Sequence, residues 1–252
     1  MEKLKRKLLN REKIFISTIS DWGWGGVPHL FKNDALDLLM IDVEHGHLGW
    51  ETCENLLRTC NNLSMPVIVR VVDTEYHLMS KYLDMGADGL LVPRVETVEQ
   101  ALAAVRYMRF PPKGKKGCGG FSLLRGDNAF AKFNSEKMLF LQIESLKGVD
   151  NLDSMLTNCA GEVSGVLIGP SDLSISMGNN SFDFRAPDFL AVVEQVFNLC
   201  DDHSVSCGIF CVSHESIRFW RSKGANLIWA GSDVGLFLSA YRDLCQTIRE
   251  LD

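Results

Sequence analysis

Short runs that are apolar at every position alternate along the chain with longer stretches in which apolar residues return every three or four positions. The first pattern suits strands covered on both faces, as in a parallel sheet flanked by helices, and the second suits helices that bury one stripe. Candidate strands are Ile14 to Ile19, Leu38 to Asp42, Val67 to Val71, Gly89 to Val92, Met138 to Ile143, Gly165 to Ile168, Val205 to Phe210 and Asn226 to Ala230. Helix-like segments follow them: Gly26 to Lys32, Trp50 to Asn61, Glu75 to Met85, Thr97 to Met108, Gly148 to Asn158, Pro187 to Asp202, His214 to Ser222 and Gly235 to Leu251. Eight such units close a (β/α)8 barrel, so the pattern predicts an α/β chain forming one TIM barrel domain over residues 1–252. The boundaries agree. Asp84 to Gly89 and Ser222 to Asn226 each place a glycine just past a helix, where a left-handed residue ends it before the next strand.

One region breaks the rhythm. From Pro111 to Lys137 the chain is rich in glycine and basic residues, an insertion that either closes over the barrel mouth or meets a neighbouring subunit. No Gly-Lys-Ser or Gly-Lys-Thr follows a strand there, so it is a weak phosphate cradle. Ahead of the first strand, Lys3 to Lys7 with Leu8 and Leu9 reads as a short amphipathic helix, too brief for a signal sequence, and no apolar run reaches membrane-spanning length.

Composition narrows the classes. The chain has 252 residues, 46% of them hydrophobic, which suits a folded protein with a large core. A net charge of -6 with scattered basic residues leaves no footprint for nucleic acid, and no membrane partner is expected. The eight cysteines, Cys53, Cys60, Cys118, Cys159, Cys200, Cys207, Cys211 and Cys245, form no Cys-x-x-Cys pair, and most fall in apolar patterns. Reduced thiols and a cytoplasmic location are the expectation.

The chemistry gathers at strand ends. Leu38-Leu39-Met40-Ile41-Asp42-Val43-Glu44-His45-Gly46-His47 is an apolar run that stops in carboxylates and imidazoles. In an α/β barrel, the carboxyl ends of the strands are where loops converge on one mouth. Asp42 and His45 stand close enough in sequence for the carboxylate to fix the imidazole tautomer, against a competing role for the acid as a helix cap. The third strand ends in Arg70, the fifth in Gln142-Ile143-Glu144, and the sixth runs into Gly169-Pro170-Ser171-Asp172. Glu144 and Asp172 end neighbouring strands, whose spacing of about 4.8 Å lets two carboxylates share a hard divalent cation. Helix capping competes for both, and more so for Asp172. Arg70 offers a planar fork for an oxyanion or carboxylate, or else an ion pair with Glu144 or Asp42. The amides of Gly169 to Ser171 can hold a carboxylate. His29, His47, His77, His203 and His214 lack comparable context, and Trp22 and Trp24 either wall the mouth or pack.

Together Asp42-Val-Glu-His45-Gly, Pro66-Val-Ile-Val-Arg70, Gly86-Ala-Asp-Gly-Leu-Leu-Val-Pro93, Arg109-Phe-Pro-Pro112, Gln142-Ile-Glu144 and Ile168-Gly-Pro-Ser-Asp-Leu173 resemble the HpcH/HpaI aldolase family, the metal-dependent 2-oxo acid aldolases typified by 4-hydroxy-2-oxoheptanedioate aldolase. The likeness runs in consistent order from about Ile14 to Asp233. It implies a divalent metal cation (Mg²⁺, Mn²⁺ or Co²⁺) on Glu144 and Asp172, and Arg70 at the enolate oxygen of pyruvate. It further implies His45 as acid–base group oriented by Asp42, with Gln142, Gly169 and Ser171 as substrate holders. Asp84 matches an acid that reaches a neighbouring subunit's site, in a family that assembles as hexamers and exchanges its last helix. The small-molecule partners implied are a 2-oxo acid and an aldehyde. Two departures, Trp22-Gly-Trp-Gly-Gly after the first strand and Gly119-Gly-Phe-Ser-Leu-Leu-Arg-Gly-Asp, are placed near the mouth and leave the aldehyde open.

The activity implied is reversible cleavage of a 4-hydroxy-2-oxo acid, with no lysine at a strand end for a Schiff base. Two rivals remain. One is a citrate- or malate-type condensing enzyme or acyl-CoA lyase, for which the lysines from Pro111 to Lys116 are the candidate CoA groove. The other is a non-catalytic ligand-binding barrel, which would require a broken constellation of site residues.

Overall fold

The computed structural model describes residues 1–120, 124, 126–179 and 181–251. Eight strands, β1 (Ile14–Ile19), β2 (Leu38–Asp42), β3 (Val67–Arg70), β4 (Gly89–Val92), β5 (Met138–Ile143), β6 (Gly165–Ile168), β7 (Ser206–Cys211) and β8 (Leu227–Ser232), pair in chain order into a closed barrel. Every pairing is parallel, including the closure of β8 onto β1. The (β/α)8 expectation holds, and strand limits differ from the sequence reading by a residue or two at β3, β7 and β8.

An all-apolar run hides a period of two, because alternate side chains face opposite sides of a strand. Ile14 and Ile16, Leu38 and Met40, Ile68, Leu91, Met138 and Phe140, Leu167, Leu227 and Trp229 fill the barrel interior. Their alternate neighbours, such as Leu39, Ile41, Val69, Leu141 and Ile168, pack outward against the helices. Continuing the inward series toward the carboxyl end gives Thr18, Asp42, Arg70, Gln142 and Glu144. The top layer of the barrel is therefore polar by register alone.

Helices α1 (Glu2–Leu9), α2 (Val27–Phe31), α3 (Trp50–Asn62), α4 (Tyr76–Asp84), α5 (Val98–Met108), α6 (Ala129–Glu136), α7 (Leu146–Asn158), α8 (Pro170–Ser176), α9 (Pro187–Asp202), α10 (His214–Ser222) and α11 (Asp233–Arg249) complete the described chain. Amphipathic α1 plugs the bottom of the barrel with Leu4 and Leu8, and the Ser206 hydroxyl donates to the Leu8 carbonyl at 2.9 Å. No helix among the described residues is long and apolar enough to cross a membrane.

The 111–137 insertion contains α6, and its described part packs along α4 and α5, with Gly117 N–H donating to Tyr76 Oη at the start of α4 at 2.8 Å. Lys115 N–H bonds the Arg106 carbonyl, Arg109 donates to the Lys137 carbonyl, and Gly119 and Gly120 lie against Asp84 at the end of α4. Gly119 and Gly120 thus meet the far end of α4, while Phe121 to Leu123 and Arg125 of the glycine-rich loop fall outside the described residues. The last helix, α11, stands apart. Its only buried residue is Asp233, while Leu236, Phe237, Leu238, Tyr241, Leu244 and Ile248 are exposed.

Candidate active site

A cavity of about 330 Å³ opens at the carboxyl end of the barrel, lined among others by Asp42, His45, Arg70, Gln142, Glu144, Gly169, Ser171 and Asp172. Eight of the ten residues expected at the site thus meet in one mouth. The two absent from its lining are Trp22 and Asp84.

Arg70 is the hub. Its Nε donates to Asp42 Oδ1 at 2.8 Å and its Nη2 to Asp42 Oδ2 at 2.5 Å, a two-pronged pair on neighbouring strands whose register sets Asp42 beside Arg70. Its Nη1 reaches Gln142 Oε1 at 3.5 Å, and its guanidinium lies 5.4 Å from the centre of the Trp229 ring. Burial works against the charge, but the hydrogen bond and charge of Asp42, with Glu44 and Glu144 nearby, push the Arg70 pKa above its ordinary value. It is a fixed cation at every working pH.

Asp42 also accepts from the backbone N–H of Glu44 at 3.0 Å and of His45 at 3.4 Å. The expected Asp42–imidazole bond is replaced. The carboxylate holds the arginine and the turn beyond the strand, while the imidazole, 67% exposed, has Glu44 Oε2 3.9 Å from its Nε2.

Glu144 is buried, accepting at Oε1 from Arg94 N–H at 2.8 Å and at Oε2 from the Gln142 amide. Burial pushes its carboxyl up, the Gln142 and Arg94 bonds pull it down, and the nearby Asp172 charge pushes it up again. Arg94 adopts a left-handed backbone (φ 50°), a conformation that costs a non-glycine residue about 1 kcal/mol or more. That strain aims its N–H at Glu144. A Cβ on Gly169 would run into Glu144 Oε2 and lie 3.0 Å from Gln142 Nε2, so glycine is what lets β6 approach the carboxylate.

Two like carboxylates facing one cavity fit a hard divalent cation. Among the described residues no three His, Cys, Asp or Glu side chains converge as a cage. Glu144 and Asp172 are the pair that would hold such a cation, whose other positions would fall to water and substrate, as Mg²⁺ and Mn²⁺ tolerate. Of the three amides expected to hold substrate, Gly169 N–H bonds the Ile143 carbonyl at 3.2 Å and Pro170 has none. Ser171 remains.

Asp84 lies at the far end of α4, ion-paired at 2.5 Å to Lys116, whose side chain is fully buried. Lys113 pairs with Glu162, and Lys115 stacks on Tyr107, so both lysines are engaged within the chain. Trp22 stands beside the mouth with its ring 6.2 Å from that of Phe237. Its N–H, with those of Ser20 and Asp21, donates to Asp233. Burial pushes the Asp233 carboxyl up, yet the Trp22, Asp21, Val234 and Ser20 amides outweigh it and hold the group below its usual range.

Sequence reasoning missed Thr18, Ser20, Phe210, Trp229 and Ser232, which also line the cavity. Trp229 Nε1 donates to Thr18 Oγ1 at 2.8 Å, fixing a wall beneath Arg70. The signal for Thr18 was present: it continues the inward series of Ile14 and Ile16.

Against known proteins, the family model described as HpcH/HpaI aldolase/citrate lyase matches residues 30–240. The 5-keto-4-deoxy-D-glucarate aldolase of Shigella dysenteriae serotype 1 is 31% identical over 239 residues, 90% of this chain and 91% of the relative. A crystal structure of an HpcH/HpaI aldolase/citrate lyase family protein from Burkholderia cenocepacia J2315 superposes with a TM-score of 0.90 at 27% identity, covering 99% of this chain and all of that one. An HpcH/HpaI aldolase from Desulfitobacterium hafniense DCB-2 gives a TM-score of 0.90 at 25% identity, over 99% and 97% of the two chains.

Proposed function

The chain belongs to the HpcH/HpaI aldolase/citrate lyase family, and from that premise we propose that it is a divalent-metal-dependent aldolase cleaving a 4-hydroxy-2-oxo acid reversibly to pyruvate and an aldehyde. The observation that carries this reading is the meeting of Glu144, Asp172, Arg70 and His45 around one cavity. Glu144 and Asp172 would hold a cation such as Mg²⁺, Mn²⁺ or Co²⁺, which would supply positive charge for the keto oxygen.

The chain's own residues do the rest. Arg70, held still by Asp42, presents positive charge where the pyruvate half becomes an enolate, and its guanidinium cannot lose a proton to it. Gln142 bridges Arg70 and Glu144 and keeps both in register. Ser171 N–H faces the substrate carboxylate. His45 removes the proton of the 4-hydroxyl. The new carbonyl leaves with the aldehyde, the electrons of the C3–C4 bond pass into the enolate, and a proton returned to that carbon gives pyruvate. No lysine lines the cavity among its described residues, which agrees with a route without a Schiff base.

We place the working enzyme in a homo-oligomer, with α11 docked on a neighbour and Asp84 facing a neighbour's mouth. The exposed apolar side chains of α11 and the distance of Asp84 from its own mouth support that arrangement. Eight free cysteines, six of them buried, suit a reducing cytoplasm.

The test is pyruvate release from a panel of 4-hydroxy-2-oxo acids that includes 5-keto-4-deoxy-D-glucarate. Turnover is expected to vanish on chelation and return with Mg²⁺, Mn²⁺ or Co²⁺. Full activity after exhaustive metal removal would sink the metal assignment, and no pyruvate from any member would sink the reaction.

A further inference from the structure

The carboxylate of Glu44 stands at the turn beyond β2 with 6% of its side chain exposed. Its Oε2 is shut off from solvent and accepts no hydrogen bond from any described residue. That oxygen lies 3.3 Å from Arg70 Nη1, at an angle that makes no hydrogen bond, and 3.9 Å from His45 Nε2. The other oxygen, Oε1, faces Arg94 Nε at 3.8 Å, on a side chain that is 64% exposed.

The charges around it leave Glu44 without an answer of its own. Asp42 takes two nitrogens of Arg70 in short hydrogen bonds, so that buried cation is already matched. Glu144 just beyond β5 and Asp172 on α8 add more negative charge, which a divalent cation held by them would offset. Burial pushes the Glu44 carboxyl up to about 7; Arg70 and Arg94 pull it down, while Glu144 and Asp42 push it further up. A cation arising beside Oε2 would relieve this. His45 is the adjacent group that becomes cationic on taking a proton.

We propose that Glu44 is a positioning residue for His45: its Oε2 holds the Nε2 side of the imidazole and balances the charge the ring gains on taking a substrate proton at Nδ1. This gives Glu44 the orienting role first expected of Asp42, and it rests on the reading of His45 as the acid–base group. A carboxylate there confines the ring, which is otherwise exposed, and favours the imidazolium at the moment the C3–C4 bond breaks.

The experiment uses the full-length Mg²⁺-loaded protein, with 5-keto-4-deoxy-D-glucarate as the probe substrate. Glu44→Gln is expected to lower kcat about tenfold to a hundredfold with KM nearly unchanged, a share of the ~10²–10⁴-fold that general acid–base catalysis supplies. The acidic limb of its kcat/KM profile moves to lower pH, because loss of the negative charge makes the imidazolium easier to deprotonate. Glu44→Asp, which keeps the charge, recovers part of the loss, and Glu44→Gln adds nothing in a His45→Ala background. An equal further loss in that background overturns the proposal and assigns Glu44 to Arg70. The His45 ring resonances in substrate-free protein separate the two readings. Resonances unmoved by Glu44→Gln overturn the positioning role while His45 keeps its own. Wild-type cleavage by His45→Ala overturns the acid–base reading and this proposal with it.

Discussion

A guanidinium proposed to receive developing negative charge has to be held in place, and Asp42 holds Arg70 from the neighbouring strand. Both side chains are at least nine-tenths buried, so removing one charge leaves the other uncompensated. Asp42→Asn is expected to destabilise the protein by about 3 kcal/mol, measured by chemical denaturation, as well as to suppress turnover. Arg70→Ala should abolish cleavage together with exchange of pyruvate methyl protons into solvent, both followed by NMR; unchanged exchange would return Arg70 to a structural ion pair. Glu44 adds a pH dependence. Its folded-state value of about 7 lies above the ordinary 4.5, so the native state holds this proton more tightly than the unfolded chain does. Its contribution to stability is then full below the ordinary value and is lost as pH rises toward and past 7. In metal-free protein, Glu44→Gln should gain thermal stability relative to wild type between about pH 5 and about pH 8; melting curves with no pH-dependent gap would contradict the burial of this charge. At this scale the sequence was legible for which residues meet at the mouth and less so for how they pair. Asp42 and His45 are near in sequence, yet the turn gives Asp42 the His45 amide and sends the imidazole toward Glu44.

Strands place these residues through a period of two that an all-apolar run conceals. Ile68 faces inward and Val69 outward, so Arg70 faces inward; the same count puts Gln142 and Glu144 in the mouth after Phe140. Strand limits were legible because their ends coincide with turn residues and polarity. Two helices were not assigned. The eight residues of α6 follow a glycine- and lysine-rich stretch whose composition reads as loop, and α8 is a single short element begun by Gly169-Pro170. Such elements are set by tertiary packing more than by propensity. The amphipathic pattern of α1 was readable, but its place beneath the barrel was not. Leu8 is 6% exposed against the interior cluster, and Leu8→Ala should cost about 2–3 kcal/mol in denaturation measurements, the lower part of the range for a buried leucine. No change in stability would mean that α1 is not the floor of the barrel.

For the whole molecule, the sequence pattern of α11 is the same whether its apolar face meets its own barrel or another, which is why the helix was legible and its docking was not. The structure leaves Leu244 and Ile248 more than half exposed on a helix with one buried residue, the kind of exposed apolar face that marks a protein–protein contact. A neighbouring subunit is the occupant proposed for that face, with Asp84, here paired to buried Lys116 at the far end of α4, as the acid proposed to reach the neighbour's mouth. The protein is expected to sediment at micromolar concentration as a homo-oligomer, well above the 28.2 kDa of one chain, and Leu244→Glu with Ile248→Glu should shift it toward monomer or drive it out of solution. Subunit mixing then asks whether sites are shared. His45→Ala and Asp84→Ala subunits, each weakly active alone, should regain cleavage when unfolded together and refolded, because some mouths then combine an intact His45 with an intact Asp84 from the neighbour. A compact wild-type monomer would remove the docking of α11, and an oligomer whose mixed subunits recover nothing would confine Asp84 to its ion pair with Lys116.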